Sequence, residues 1–332
     1  MSDSRRISHM PLSQEHWHEL RAQDVTSTES AALFDMSPYL TKYELYYRKA
    51  GRVAVEAQEN WRMMWGQRLQ DSVARCLAED NGVKIRKLNQ YMRLPGVRMG
   101  SSFDFEIIGL DGEWYHRAAL ATPLQVMYQL HGVGNFEIKC VDWLVFRDQW
   151  TVNEDKSIEA PAHIEIQVQH QMHVSGRLWA AIGLLVSGNT PKIIIREYDE
   201  KVGMAIDARI RELYADIEAG RKPQPVFPAD ADLVCKLNGY AEPGKVYDGR
   251  EDMELILLCQ KYRDAQDRLK LAEEEKQTAK AKVLQKIGES ERALVPGFSV
   301  SASLVGPAEY TVKREGYRNL RITPKRAKEK VA

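Results

Sequence analysis

Apolar residues fall into helical register at Trp61, Trp65, Leu69, Val73 and Leu77. That spacing predicts a helix over about residues 60–80, ended by Gly82. Upstream, residues 12–51 read as short helices and turns around Ser37, Pro38 and Tyr39. Residues 97–109 and 135–141 read as two strands of one sheet. The excursion between them holds Asp111-Gly-Glu-Trp114 and a helical Pro123–Leu130 segment. Pro161 opens a predicted helix running to about residue 186 and closed by Gly188. Its apolar stripe is Ile164, Val168, Met172, Leu178, Ile182 and Leu185. A strand at 192–198 and a helix at 200–218 follow, and proline-rich residues 222–228 mark a boundary.

Beyond that boundary the pattern changes. Residues 251–287 lack Pro and Gly and predict one long helix. Leu255, Leu258, Tyr262, Ala265, Leu269 and Ala272 alternate steps of three and four, and Lys276, Ala279 and Val283 continue the seam. Such a seam fits packing on a partner helix or on the body, or a single amphipathic helix. Short strands are expected after Gly288, including residues 310–313 and 317–322, before a basic tail at 313–330.

The 332 residues are 44% hydrophobic and 28% charged with zero formal net charge, an ordinary balance for a soluble chain. Net charge does not announce a nucleic-acid binder, although local basic surface matters more than the sum. No signal-peptide pattern occurs, and no stretch nears the roughly 20 apolar residues of a membrane span, so a cytoplasmic protein is expected. Cys76, Cys140, Cys235 and Cys259 lack the spacing of disulfide frameworks, zinc knuckles or iron–sulfur sites. No P-loop motif is present.

The chemistry-bearing pattern is Asp104 on one predicted strand and Phe136-Glu-Ile-Lys-Cys140 on the next. Strand alternation sends Phe136, Ile138 and Cys140 into the core and Glu137 with Lys139 to the other face. Two carboxylates can then converge on one magnesium or manganese ion, with the Cys140 carbonyl as a further ligand. Lys139 can orient a water and offset charge on a phosphate. A surface salt bridge on a half-exposed sheet is the competing reading. Glu106 shares the face of Asp104 but is not assigned a role. Of His163, His170 and His173, the last two lie one helical turn apart, but no third zinc ligand is apparent. Residues 45–49 (LYYRK) offer either DNA contacts or core tyrosines.

The residues around this pattern resemble the YqaJ-like viral recombinases, relatives of phage lambda exonuclease in the PD-(D/E)XK nuclease superfamily. The resemblance spans residues 14–222. A Trp and an Arg (Trp17, Arg21) precede a Thr/Ser turn (Thr26 to Glu29) and an S-P-Y element (Ser37 to Tyr39). The helix motif G-x-x-L-E reads Gly66, Leu69 and Gln70, with a glutamine in place of the acid. A small-residue run ends at Asp104 without the family's usual S-P-D-G turn. The E-x-K strand is followed by Q-x-Q-x-x-M as Gln167, Gln169 and Met172.

The resemblance implies a restriction-endonuclease-like α/β core over residues 1–225, with a central mixed sheet flanked by helices. Residues 226–332 would append a linker, the long helix and a small β element. It implies hydrolysis of DNA phosphodiesters with Mg2+ or Mn2+, as a 5′-to-3′ exonuclease acting on double-strand ends. Asp104, Glu137, Lys139, Gln70 and Gln167 would form the catalytic set. Arg21, Thr28, Ser37, Tyr39, Gln169 and His170 would contact DNA. A homotrimeric ring, a single-strand annealing partner and a phage or prophage origin in a bacterial host are also implied. A nicking endonuclease, or a DNA-binding scaffold weakened at Gln70, remain as alternatives.

Overall fold

The computed structural model describes residues 5–53, 61–112, 120–309 and 318–322. The expected strand at 310–313, most of the basic tail and Trp114 lie outside these residues. The chain divides into two units, residues 1–233 and 234–332. No described helix is long and apolar enough to cross a membrane.

The first unit opens with β1 (Ile7–His9), α1 (Gln14–Gln23), β2 (Val25–Thr26), a single 3-10 turn (Ser30–Phe34) and α2 (Lys42–Lys49). Then come α3 (Trp61–Asp80), β3 (Val83–Lys87), β4 (Tyr91–Leu94), β5 (Met99–Ser102) and β6 (Phe105–Leu110). They are followed by α4 (Pro123–His131), β7 (Gly134–Val141), α5 (Trp143–Gln149), β8 (Thr151–Val152) and β9 (Ile158–Glu159). The unit continues with α6 (Ala162–Ser175), β10 (Trp179–Val186), β11 (Thr190–Glu197) and α7 (Glu200–Glu218). Helix α8 (Ala231–Leu237) straddles the division. The second unit holds α9 (Met253–Ile287), β12 (Arg292–Val295) and β13 (Phe298–Ser301).

Among the described residues the central sheet runs β11-β10-β7-β6-β3. It is mixed, because β7 and β10 are parallel while the other pairs are antiparallel. Helices cover both faces, the architecture that the PD-(D/E)XK resemblance implies. On one face Val73 and Leu77 of α3 and Leu124 of α4 pack on Phe105, Phe136, Ile138 and Ala181. On the other, Ile164, Val168 and Met172 of α6 pack on Ala180, Ile182 and Leu184. A third cluster joins α2 and α7 to the smaller sheet, β1-β4-β5-β2. Leu45 and Tyr46 of α2 are buried there with Tyr47 packed against them, so the 45–49 run serves the core.

Three sequence expectations need correction. The helix predicted over 161–186 ends at Ser175, because Gly176 adopts a left-handed φ of 72°. The remainder is strand β10, and Leu178 of the supposed stripe is exposed. A central strand buried on both faces reads as a continuous apolar run, which periodicity cannot tell from a buried helix. Secondly, residues 97–109 form two strands in two sheets, with Asp104 in the bend between them. Thirdly, the stripe on α3 is only half buried. Val73 and Leu77 enter the core, but Trp61 is 72% and Trp65 52% exposed.

Candidate active site

Strand β7 pairs with β6 only from Gly134 to Phe136. Beyond that point the chain preceding β6 has bent away at Asp104, which frees one edge of β7. Asp104 fills the gap, and its Oδ2 accepts the Ile138 N–H at 2.9 Å across 34 residues of sequence. The Gln70 side chain, from α3, hydrogen-bonds the Asp104 carboxylate as well. Gly183 allows this approach of helix to sheet. A Cβ there would lie 2.8 Å from Leu77 Cδ1 and 2.9 Å from Ile138 Cδ1.

Glu137 faces α6 and is buried. Its Oε1 accepts Lys139 Nζ at 2.6 Å and Gln167 Nε2 at 2.6 Å. Its Oε2 accepts Gln171 Nε2 at 2.8 Å. Lys139 also donates to Gln167 Oε1 at 3.2 Å, and its side chain is 25% exposed. Both carboxylates and the ammonium therefore converge at one place.

The electrostatics follow from this packing. Burial, reinforced by the charge of Glu137, pushes the Asp104 carboxyl up to about 7, against the opposing pull of Lys139, the Ile138 N–H and Gln70. For Lys139, burial works against the charged form, but Glu137 and Asp104 outweigh it and hold the ammonium above its ordinary value. The site carries more buried negative charge than one lysine balances comfortably.

That excess suits a divalent cation. Among the described residues no group of three or more His, Cys, Asp or Glu side chains gathers as a metal cluster. The donors available are thus two carboxylates, amide and backbone oxygens, and water. Magnesium accepts such a set, since it binds through one or two carboxylates and keeps several waters. Val141 O is turned toward Ser187 N, at 2.8 Å. Strand alternation therefore turns the Cys140 carbonyl to the opposite edge, where Ile138 meets Asp104. The Cys140 side chain is exposed, not in the core as alternation from Phe136 had implied, because the sheet face ends there.

The other sequence candidates divide. Tyr39 sits near the site: it acts electrostatically on Lys139 and packs edge-on to His163 at 5.7 Å between centroids. Burial and then Lys139 lower the His163 pKa. Ser37 Oγ accepts the N–H groups of Tyr39 and Leu40, at 3.3 and 3.2 Å, and so shapes the loop presenting Tyr39. Arg21 lies 4.4 Å over the Trp17 ring and reaches Thr28 Oγ1 at 3.5 Å. Trp17 Nε1 donates to Ser102 Oγ at 2.9 Å, which ties this pair to the segment leading into Asp104.

Gln169 and His170 are not brought to the site. The Gln169 amide donates to Glu197 O and accepts from Asp199 N, both at 2.9 Å, tethering α6 to the start of α7. His170 is fully buried with Nε2 3.0 Å from Gly100 O, and burial pushes its pKa down to about 3. A neutral ring sealed in the core is out of reach of DNA, which corrects the expectation for His170. Glu106 is spent on Arg86 and Arg177. Gln171 is the residue that sequence reading missed. Its signal was present: it follows Gln167 by four residues, one helical turn along the same face.

Residues 16–178 match the YqaJ-like viral recombinase domain. The Uncharacterized protein YqaJ of Bacillus subtilis (strain 168) is 24% identical over 218 residues. That alignment takes in 64% of this chain and 59% of the relative, so the chain spans less than two thirds of that protein. Among solved structures, the alkaline exonuclease LHK-Exo from Laribacter hongkongensis is similar at 17% identity and a TM-score of 0.45, over 62% of this chain and 94% of that one. Its complex with dAMP gives 16% identity and a TM-score of 0.46 over the same shares. Gln70, Asp104, Glu137, Lys139, Gln167 and Gln171 all fall inside the matched segment. The match to the YqaJ-like viral recombinase domain therefore takes in the whole candidate site.

Proposed function

We propose that this chain is a metal-dependent DNA nuclease, a 5′-to-3′ exonuclease of double-strand ends that exposes single strands for recombination by annealing. The observation that supports it is the meeting of Asp104, Glu137 and Lys139 at the freed edge of β7. Asp104, Glu137 and the Cys140 carbonyl would hold magnesium or manganese. When bound, such an ion lowers the pKa of water and neutralises phosphate charge.

Lys139, bonded to Glu137 and Gln167, can turn toward a phosphate oxygen or an attacking water. Gln167 lies within reach of the same ammonium and can keep it aimed. Gln70 and the Ile138 N–H fix the Asp104 rotamer, while Gln171 fixes Glu137. Arg21 with Thr28 offers charge-assisted hydrogen bonds to a terminal 5′-phosphate. Tyr39, beside Lys139, would border the nucleotide being removed. By family, a trimeric ring around DNA, a single-strand annealing partner and a phage origin go with this reading.

The experiment incubates end-labelled linear DNA and closed circular DNA with Mg2+, using wild type and Lys139→Ala. Loss of linear DNA from the 5′ end, abolished in the variant, is the expected result. Cleavage of circles would replace the exonuclease by an endonuclease. The neutral Gln70 at a carboxylate position favours a second reading, a DNA-binding scaffold. Retention of DNA without Mg2+-dependent loss would establish that one instead.

A further inference from the structure

Helix α9 is 35 residues long, and none of its side chains is buried. At 1.5 Å per residue it extends about 52 Å. Its seam from Leu255 to Val283 stands open to solvent, with Leu258 53% and Leu269 61% exposed. An apolar seam at 3.5-residue spacing is the pattern of a helix wound on another helix. We propose that α9, which lies outside the family-matched segment, pairs in parallel and in register with α9 of a second copy of this chain, as a two-stranded coiled coil distinct from the ring contact of the family reading.

The charges beside the seam select that partner. With Leu255, Tyr262, Leu269, Lys276 and Val283 at the first core position of each heptad, Arg268 and Glu275 flank one side and Glu273 and Lys280 the other. In a parallel pair each flanking residue faces the one five places further along the second helix. Arg268 then meets Glu273 of the second copy, and Glu275 meets Lys280. By symmetry both contacts form twice. The remaining pairs at these positions, Glu254 with Cys259, Lys261 with Gln266 and Lys282 with Ile287, set no like charges together. An antiparallel pair aligned along the same seam would oppose Lys261 to Lys282 and leave Arg268 with Glu275 as its attractive contact, so the parallel pair has the better charge match.

The four charged residues are free for this role. Among the described residues the ion pair within α9 is Lys270 with Glu274, at 3.9 Å, on the outer face. Lys276 is the polar residue inside the seam. A single lysine there weakens the pair but fixes register, and it suits two strands, where its ammonium can reach water. In a parallel pair Glu275 of the second helix borders the position into which Lys276 packs, so the charge is matched.

The test uses the full-length chain with its four cysteines replaced by serine. Ala265→Cys and Ala272→Cys, at inner seam positions, are each oxidised and run on a non-reducing denaturing gel. Gln260→Cys and Asp267→Cys, on the outer face, are the comparison. Disulfide-linked pairs from the inner positions and none from the outer ones are expected. Arg268→Glu should weaken pairing on the order of 10-fold, and adding Glu273→Arg should restore it. Circular dichroism confirms that each variant keeps its helix. Absence of the inner crosslinks, equal crosslinking from outer positions, or indifference to the charge reversal would each overturn the proposal.

Discussion

Asp104 is held where burial and a second carboxylate both resist its ionisation. Raised from 3.8 to about 7, this carboxyl favours the folded state while protonated, and that contribution is lost as pH rises through about 7. Cation binding runs the other way, since it needs the carboxylate and releases a proton. Mg2+ affinity should therefore climb from pH 6 to about pH 7 and level off above it. Calorimetric titration at pH 6, 7 and 8 checks this, and Asp104→Asn should flatten the profile. The glutamines allow a finer experiment. Gln171→Ala frees Glu137 Oε2 without touching Lys139. Removing such a supporting contact typically costs about 10- to 100-fold in metal affinity or activity. A raised Mg2+ requirement in cleavage assays, with binding of duplex DNA intact, is the expected result. Gln70→Glu would add charge beside Asp104 and should lower the Mg2+ requirement in the same assay.

Helix α3 shows how one element divides between stability and the site. Its C-terminal half is anchored through Val73 and Leu77, while Trp61 and Trp65 stay in solvent. Leu77→Ala should cost about 2–5 kcal/mol of stability, whereas Trp61→Ala should change it by less than about 0.5 kcal/mol. Urea unfolding of the two variants compares them directly. Gly183 sets the distance from helix to strand. Gly183→Ala puts a methyl against Leu77, Ile138 and Phe136. Overpacking of this kind costs about 1–3 kcal/mol, and the displaced helix would carry Gln70 away from Asp104. The same denaturation curves report the loss, and a Mg2+ titration reports the displacement.

At the scale of the whole molecule, the three apolar clusters and every residue of the candidate site lie before residue 233. The first unit contains its own core, so a chain ending at Gly239 should still unfold cooperatively and keep Mg2+-dependent cleavage of linear DNA. Circular dichroism melts and the end-label assay check the two halves of that statement. The exposed seam of α9 belongs to the second unit, and crosslinking through it should disappear in the shortened chain.

Local pattern by itself determined a good deal. Helices α4 and α7, strand β11 and the long α9 were legible, because each has caps or a periodicity that the rest of the fold does not contradict. The Glu137–Lys139 spacing was legible for the same reason, since alternation along a strand is a local property. Tertiary structure decided the rest. The end of α6 depended on Gly176, and β10, buried on both faces, carries no period to read. Asp104 gained its place only when β5 and β6 parted into different sheets and its carboxylate replaced the missing strand at Ile138. Gln171 and His170 are neighbours in sequence, yet one meets Glu137 and the other is sealed against Gly100. Which side of a helix faces chemistry and which faces core is fixed by what packs around it, and those partners lie far away along the chain.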